Sequence, residues 1–130
     1  MKPSELHVVV VDDNRDALAG LSKLIQAAGF SVVAQIRDTP VALEIIAEER
    51  PHVVVLDIGM PIIDGFTLAS RIREQIFPVP RLIAVTGFGS ERDKQKAREI
   101  GFDAHFTKPV EWPKLEALLV SYLHDAEASE

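Results

Sequence analysis

Short runs of β-branched and other apolar residues alternate with longer stretches of mixed polarity along this chain. Apolar runs of about four to eight residues are typical of strands. The first, third and fourth runs are continuously apolar, which indicates strands covered on both faces. The pattern predicts five strands, at Val8–Val11, Ser31–Ile36, Val53–Leu56, Leu82–Val85 and Asp103–Phe106.

The longer stretches carry apolar residues at helical spacing and are bounded by capping signals. In the first of them Gly29, a common helix stop, follows apolar residues at helical spacing, namely Leu18, Leu21, Leu24, Ile25 and Ala28. A second helix is expected to begin at Thr39-Pro40, with Thr39 as the N-cap, and to end before Pro51. The other three are predicted to follow Asp64-Gly65, to open at Ser90, and to carry Leu115, Leu118, Leu119 and Tyr122.

Five strands that alternate with five helices indicate right-handed βαβ units and therefore a parallel sheet. The predicted fold class is α/β: a doubly wound five-stranded parallel sheet with five helices, flavodoxin-like, with strand order 2-1-3-4-5. No repeat, linker or low-complexity segment interrupts the pattern. We expect a single domain over residues 1–130, with a core from about residue 6 to residue 123 and a polar C-terminal tail.

Polar residues stand within two positions of the ends of four of the predicted strands. Asp12 and Asp13 follow the first strand, Asp57 the third, Thr86 the fourth and Lys108 the last. In an open α/β sheet ligands bind beyond the carboxyl ends of the strands, and parallel strands end on the same side. The sequence therefore predicts one pocket that contains three carboxylates, a hydroxyl and an ammonium.

The chemistry of this predicted pocket follows from its charges. Three neighbouring carboxylates repel one another and stay ionised together only when a cation intervenes. Oxygen ligands without histidine or cysteine suit Mg²⁺, which commonly takes one or two carboxylates. A carboxylate such as that of Asp57 can attack phosphorus and form an aspartyl phosphate. Lys108 and Thr86 would then help the metal to neutralise the phosphoryl oxygens.

Composition narrows the class of protein. Apolar residues make up 47% and charged residues 26%, a globular balance, and the absence of cysteine excludes disulfides and thiolate metal sites. The formal net charge of −6 counts against direct nucleic-acid binding, which favours a basic surface. No apolar run is long enough for a signal peptide or a membrane span, so we expect no membrane association and a cytoplasmic location.

The chain resembles the CheY-like receiver domains of two-component response regulators and hybrid histidine kinases. The resemblance rests on VVVVDDN (8–14), VVVLDIGMPIIDG (53–65), LIAVTGFG (82–89) and FTKP (106–109), in the order and spacing of the family. It implies a phosphorelay protein that accepts a phosphoryl group from a histidine kinase or a histidine phosphotransfer protein. It also implies a conformational switch that signals to a downstream output protein.

The resemblance implies a role for each residue of the predicted pocket. The phosphoacceptor would be Asp57, the Mg²⁺ ligands would be Asp12, Asp13, Asp57 and the backbone carbonyl of Gly59, and the phosphoryl contacts would be Thr86 and Lys108. The Lys108–Pro109 bond resembles one that is usually cis in this family, so Pro109 is a cis-peptide candidate.

Two aromatic positions concern switching and phosphoryl lifetime. His105 stands three residues before Lys108, where many relatives carry a tyrosine or phenylalanine that rotates as a switch. A histidine can still rotate and adds a titratable group, although it is equally consistent with a residue that is merely tolerated at a strand end. Phe88, two residues after Thr86, is expected to cover the phosphoryl group.

Three other functions stay open at the level of sequence. A Mg²⁺-dependent aspartyl-phosphate phosphatase would need a second acid two residues after Asp57, where Gly59 stands. A flavin or nucleotide module would need a phosphate-binding loop after the first strand, where Asp12 and Asp13 would repel phosphate. A receiver used only for docking would not require the complete set of acids, threonine and lysine.

Overall fold

The computed structural model describes residues 1–59, 64–87 and 89–128, and only the backbone of residues 127 and 128. The described residues contain one sheet of five parallel strands in the order β2-β1-β3-β4-β5. The strands are β1 (His7–Val11), β2 (Ser31–Ile36), β3 (Val53–Asp57), β4 (Arg81–Thr86) and β5 (Ala104–Thr107). The predicted fold class and strand order are confirmed.

A helix follows each strand, as the alternating pattern predicts. The helices are α1 (Arg15–Ala27), α2 (Thr39–Glu49), α3 (Gly65–Gln75), α4 (Glu91–Ile100) and α5 (Trp112–Ala128), and a short 3₁₀ turn over Pro3–Glu5 precedes β1. Within the described ranges, none of these helices is both long and apolar enough to cross a bilayer.

Capping residues decide where most helices begin. Asn14, Asp64 and Ser90 each accept a hydrogen bond from the backbone N–H three residues later, at 2.8–3.1 Å. Gly29, at φ 100°, follows the C-cap of α1 as predicted. The predicted N-cap of α2 was wrong by one residue. Asp38 occupies that position, and Thr39 is the first helical residue, with its side chain turned into the protein at 5% exposure.

The core consists of two apolar layers, one on each face of the sheet. Alternate residues of the central strands point to opposite faces. One layer packs Val54, Leu56 and Leu82 against α2, α3 and α4, and the other packs Val53, Val55 and Ile83 against α1 and α5. Each fully buried Val, Leu or Ile side chain stabilises the fold by roughly 1.5–3 kcal/mol. The continuously apolar strands are thus covered on both faces, as the sequence predicts.

Strand register brings the carboxyl ends of the central strands to one edge of the sheet. Val11 pairs with Leu56, and Asp57 pairs with Val85. Asp57 is the last residue of β3, and Thr86 is the last residue of β4. Both lie one residue beyond the predicted strand ends, because sequence reasoning assigns a polar residue after an apolar run to the loop.

Strand β5 begins one residue later than predicted, at Ala104. The residue before it, Asp103, uses its carboxylate to accept the backbone N–H of Leu82 at 2.8 Å. Asp103 also forms an ion pair with Arg81, with 3.5 Å between Nη1 and Oδ1. Asp103 therefore fastens the start of β5 to the start of β4 through its side chain.

Candidate functional site

Three carboxylates meet at the carboxyl edge of the sheet. One oxygen from each of Asp12, Asp13 and Asp57 lies within 4.8 Å of the others. Asp12 and Asp57 are buried, at 6% and 8% exposure, whereas Asp13 is exposed. The strand ends account for this arrangement, because Asp12 follows β1 directly and Asp57 ends the neighbouring strand β3. The structure thus brings together the three acids that the sequence singles out.

Lys108 reaches into this cluster from the end of β5. Its Nζ lies 2.8 Å from Asp12 Oδ2 and 3.4 Å from Asp57 Oδ2. Its backbone N–H donates to the carbonyl of Thr86 at 2.8 Å, and the Lys108–Pro109 peptide bond is cis. Burial alone would lower the pKa of this ammonium, but the hydrogen bond to Asp12 and the charge of Asp57 outweigh burial and raise it. Lys108 is therefore a permanent positive charge in the site.

The environment of Asp57 disfavours its ionised form. Burial raises the pKa of the Asp57 carboxyl, and the charge of Asp12 raises it further, while the Gly59 N–H and Lys108 act in the opposite direction. The Gly59 N–H donates to Asp57 Oδ1 at 2.9 Å, so that oxygen is held by the backbone. Asp57 Oδ2 is the oxygen that faces Lys108. A divalent cation beside this carboxylate would favour its ionised form and so lower its pKa.

The start of α3 lies very close to Asp57, and Gly65 permits this approach. A Cβ at Gly65 would lie 2.4 Å from the Cα of Ile58 and 2.7 Å from the carbonyl oxygen of Asp57, so no side chain fits there. The Gly65 N–H donates to the Ile58 carbonyl at 3.4 Å. Sequence reasoning treats Gly65 only as the start of a helix. The glycine directly after the capping Asp64 is the available signal that the backbone passes close by.

The other predicted site residues differ in how exposed they are to solvent. Thr86 ends β4 and is 4% exposed, and Gly59 is exposed beside Asp57. His105 lies on β5 opposite Ala84 of β4, and it lines a cavity of about 300 Å³ together with residues of α4. Residues 60–63 of the third-strand motif, and Phe88 with its predicted role as a cover, lie outside the described residues.

His105 has an unusual polar environment. Its Nε2 is shielded from solvent and has no hydrogen-bond partner within the described part of the chain. Burial lowers the pKa of His105, and the nearby charge of Lys94 lowers it further, while Asp93 raises it. The imidazole is therefore neutral at pH 7. Whether it acts as the switch residue stays a prediction.

A cavity of about 290 Å³ opens beside the acid cluster. One wall is the apolar and small-residue side of α1, including Gly20 and Leu24, and another is the segment from Lys108 to Val110. Leu24 is 44% exposed, which is high for a leucine. Asp57 lies at the inner end of an apolar recess that is open to solvent.

The residues of the cluster fit a magnesium ion. All three acids supply hard oxygen ligands, and neither histidine nor cysteine belongs to the group. Three ionised carboxylates and one ammonium carry two net negative charges, which one divalent cation balances. A doubly wound parallel sheet with an acidic pocket at its carboxyl edge, and a lysine beside the central acid, is typical of α/β proteins that bind their ligands at this edge.

Comparison with known proteins identifies the family. The model of the response regulator receiver domain matches residues 8–120. The chain is 30% identical over 121 residues to the polar-differentiation response regulator DivK of Brucella anthropi, covering 92% of this chain and 97% of that protein, and the same figures hold for DivK of Brucella ovis. The chain therefore belongs to the response regulator receiver family, the signalling switches of two-component systems.

Solved structures agree with this assignment. The receiver domain of AraT, a response regulator from Geobacillus stearothermophilus, superposes with a TM-score of 0.83 at 27% identity, covering 95% of this chain and 97% of that one. The N-terminal domain of an uncharacterized protein from Wolinella succinogenes superposes with a TM-score of 0.87 at 27% identity, covering 96% and 99%. The likeness extends over the whole sheet and its helices.

Proposed function

We propose that this receiver domain accepts a phosphoryl group on Asp57 in a reaction that depends on Mg²⁺. The donor would be a phosphohistidine of a histidine kinase or of a histidine phosphotransfer protein. The observation that carries the proposal is the meeting of three carboxylate oxygens within 4.8 Å, with the Lys108 ammonium 3.4 Å from Asp57. The metal ligands would be Asp12, Asp13, Asp57 and the backbone carbonyl of Gly59.

The geometry around Asp57 favours Oδ2 as the attacking atom, because Oδ1 already accepts the Gly59 N–H. Oδ2 attacks phosphorus, an O–P bond forms, and the P–N bond to the donor imidazole breaks. The imidazole nitrogen keeps the electron pair of that bond. Bound Mg²⁺ supplies charge neutralisation for the oxygens of the transferring phosphoryl group. Lys108, fixed by its hydrogen bond to Asp12, holds a positive charge beside the same oxygen.

After transfer, the phosphoryl group would be a new partner for Lys108 and Thr86. Lys108 would exchange its contact with Asp12 for one with the phosphoryl group, and the Thr86 hydroxyl would donate to a phosphoryl oxygen. Because the backbone carbonyl of Thr86 accepts the Lys108 N–H, movement of either strand end is transmitted to the other. We propose that His105, three residues before Lys108 on β5, passes the change toward α4 and an output protein.

The recess beside Asp57 supports a protein as the donor. Its apolar wall on α1 and the exposed Leu24 offer a surface on which another protein can pack while its phosphohistidine approaches Asp57. No nucleic-acid contact and no membrane contact forms part of the proposal.

Labelling with a small phosphodonor tests the assignment. The protein is incubated with acetyl phosphate, with Mg²⁺ or with a chelator, and its intact mass is measured at early times. Wild type should gain one phosphoryl group only with Mg²⁺, and Asp57→Asn should gain none. The matched control is Asp64→Asn, which removes a nearby acid while asparagine keeps the helix cap. Equal early labelling of wild type and Asp57→Asn would contradict the proposal.

A magnesium-dependent phosphatase is the second candidate, and the local sequence counts against it. The residue two positions after Asp57 is Gly59, which has no side chain that could protonate a leaving group. A switch should release its own phosphoryl group slowly, whereas a phosphatase should turn over an excess of substrate. Steady-state release of inorganic phosphate from a small phosphate ester distinguishes the two.

A further inference from the structure

A second pocket lies at the opposite end of the sheet from Asp57, at the amino ends of β3 and β4. It has a volume of about 300 Å³, within the lower range of small-molecule sites. Four segments form its walls: Leu6 before β1, the turn that leads into β3, the loop that leads into β4, and the C-terminal half of α5. The sequence signals for phosphoryl transfer do not involve any of these segments.

The walls of this distal pocket are rigid. Pro51, Pro78 and Pro80 line it, and Pro51 and Pro80 are themselves buried. Proline fixes φ, so a wall built from three prolines has few alternative conformations. A pocket that is already formed loses little conformational entropy when a ligand enters. Together with Val79, these residues provide an apolar lining for the body of a ligand.

Tyr122, which lines the pocket, has an unsatisfied hydroxyl. The residue is 7% exposed, and its hydroxyl has no hydrogen-bond partner among the residues that the structure describes. Burial raises the pKa of Tyr122 to about 12, so the group is a proton donor at physiological pH. Buried hydroxyls are nearly always hydrogen-bonded. A ligand oxygen in the pocket would supply the missing acceptor.

His52 adds a second donor to the same pocket. Its Nδ1 accepts the backbone N–H of His7 at 2.9 Å. Burial lowers the pKa of His52, and the charge of His7 lowers it further, so the ring is neutral at pH 7. Since Nδ1 is an acceptor, the single ring proton is on Nε2. That Nε2–H has no acceptor within the described ranges.

The charged residues in the lining are two arginines and one acid, and Arg81 also pairs with Asp103, which is not part of the lining. Arg50 closes α2 in a left-handed conformation, at φ 46°, and forms no ion pair with any described residue. Arg81 lies over the Tyr122 ring, 5.1 Å from its centroid. The acid in the lining, Asp125, is already paired with Arg81 at 3.4 Å. The pocket therefore combines an apolar wall with a guanidinium and two donors that have no partner among the described residues.

We infer that the distal pocket binds a small carboxylate with a flat apolar body, such as an aromatic acid. The carboxylate would accept hydrogen bonds from Arg50, His52 and Tyr122, and the apolar body would lie against the prolines. A guanidinium suits a carboxylate because its planar fork matches the two oxygens. The inference is independent of the proposed phosphoryl transfer, because the two sites lie at opposite ends of the sheet.

Benzoate is the probe, and amide chemical shifts of the full chain are the readout. Benzoate should shift the amides of residues 50–53, 79–82 and 122–126 with saturation. Acetate, which lacks the apolar body, and benzyl alcohol, which lacks the charge, should produce no saturating shift at the same concentrations. Asp57→Asn should bind benzoate as wild type does.

Two variants locate the contacts. Arg50→Ala should weaken benzoate binding at least about tenfold, since a charge-assisted hydrogen bond is lost. Tyr122→Phe keeps the ring and should fold normally, but it should also weaken binding several-fold. Arg71→Ala, which removes an exposed arginine elsewhere, should change nothing. The inference is overturned if benzoate shifts no amides at the distal pocket, if acetate saturates equally, or if Arg50→Ala binds as tightly as wild type.

Discussion

Replacement of Asp57 by asparagine should stabilise the metal-free protein. Burial raises the pKa of the Asp57 carboxyl, so its ionised form opposes folding. At an effective dielectric constant of about 20, two unit charges 4.8 Å apart repel by roughly 3.5 kcal/mol. Both Asp12 and Asp13 lie within this distance of Asp57. The attraction of Lys108, 3.4 Å from the carboxylate, is roughly 4.9 kcal/mol on the same basis, so it offsets the repulsion from one acid and part of that from the other. Since these charge terms largely offset one another and the cost of burial remains, we expect a gain on the order of 1 kcal/mol.

The same substitution should abolish most of the response to Mg²⁺. A ligand that binds only the folded state stabilises it by RT ln(1 + [L]/Kd), roughly 1.4 kcal/mol at ten times the dissociation constant. For a domain of 130 residues this raises the melting temperature of wild type by about 5 °C. Asp57→Asn loses a charged ligand at the centre of the cluster, so its melting temperature should rise by much less.

The pH dependence of the free energy of unfolding shows whether the effect of Asp57→Asn comes from the charge of the carboxylate or from packing. The ordinary pKa of an aspartate is about 3.8, and that of Asp57 in the folded protein is higher. Between these two values the folded state binds more protons than the unfolded state, so the free energy of unfolding falls as pH rises through this window. The advantage of Asp57→Asn over wild type should therefore be absent below the window, grow across it and stay constant above it.

Thermal melting at constant ionic strength, with Mg²⁺ or with a chelator, measures both effects. Asp64→Asn is the control and should respond to Mg²⁺ as wild type does. Asp13→Asn should lose part of the Mg²⁺ response but gain less stability without metal, because Asp13 is exposed. The reasoning is refuted if Asp57→Asn melts no higher than wild type in chelator, or if Mg²⁺ raises both melting temperatures equally.

Three further predictions concern single residues. Lys108→Ala should bind Mg²⁺ at least as tightly as wild type by calorimetry, because an ammonium 2.8 Å from Asp12 is removed; much weaker binding would contradict this role. Gly65→Ala should lower the free energy of unfolding in urea by at least about 2 kcal/mol, because its Cβ would lie 2.4 Å from a backbone atom, whereas Gly20→Ala, with open space around it, should not destabilise. His105→Phe should lessen the loss of stability on acidification below pH 6.5, because a histidine with a lowered pKa binds its proton more readily in the unfolded state; an unchanged slope would refute this.

The fold was predictable from the sequence because the continuously apolar runs are the strands that are buried on both faces of the sheet. The four valines of 8–11 are all buried, alternately in the two core layers, so their continuous run is a direct consequence of the sandwiched sheet. Strand boundaries were less predictable. Asp57 continues the ladder of β3 although it is polar, since its backbone pairs with Val85 while its carboxylate faces the pocket.

The acid cluster was also predictable, because parallel strands bring their ends together. The contact between Lys108 and Asp12 was not, since a flexible lysine near three acids could pair with any of them. The close approach of Gly65 to the end of β3 is a tertiary contact, which no periodic pattern encodes. The distal pocket was missed because Tyr122 lies far along the sequence from Arg50 and His52, and no pattern links them.

The central claim, that Asp57 is phosphorylated in a reaction that depends on Mg²⁺, is tested most directly by identifying the phosphorylated residue chemically. After brief incubation with acetyl phosphate and Mg²⁺, borohydride reduces an aspartyl phosphate to homoserine, and fragment masses of the digested protein locate the changed residue. The expected result is homoserine at position 57 alone, and none when a chelator replaces Mg²⁺. Homoserine at Asp12 or Asp13 instead, or at position 57 to the same extent without metal, would contradict the proposed site.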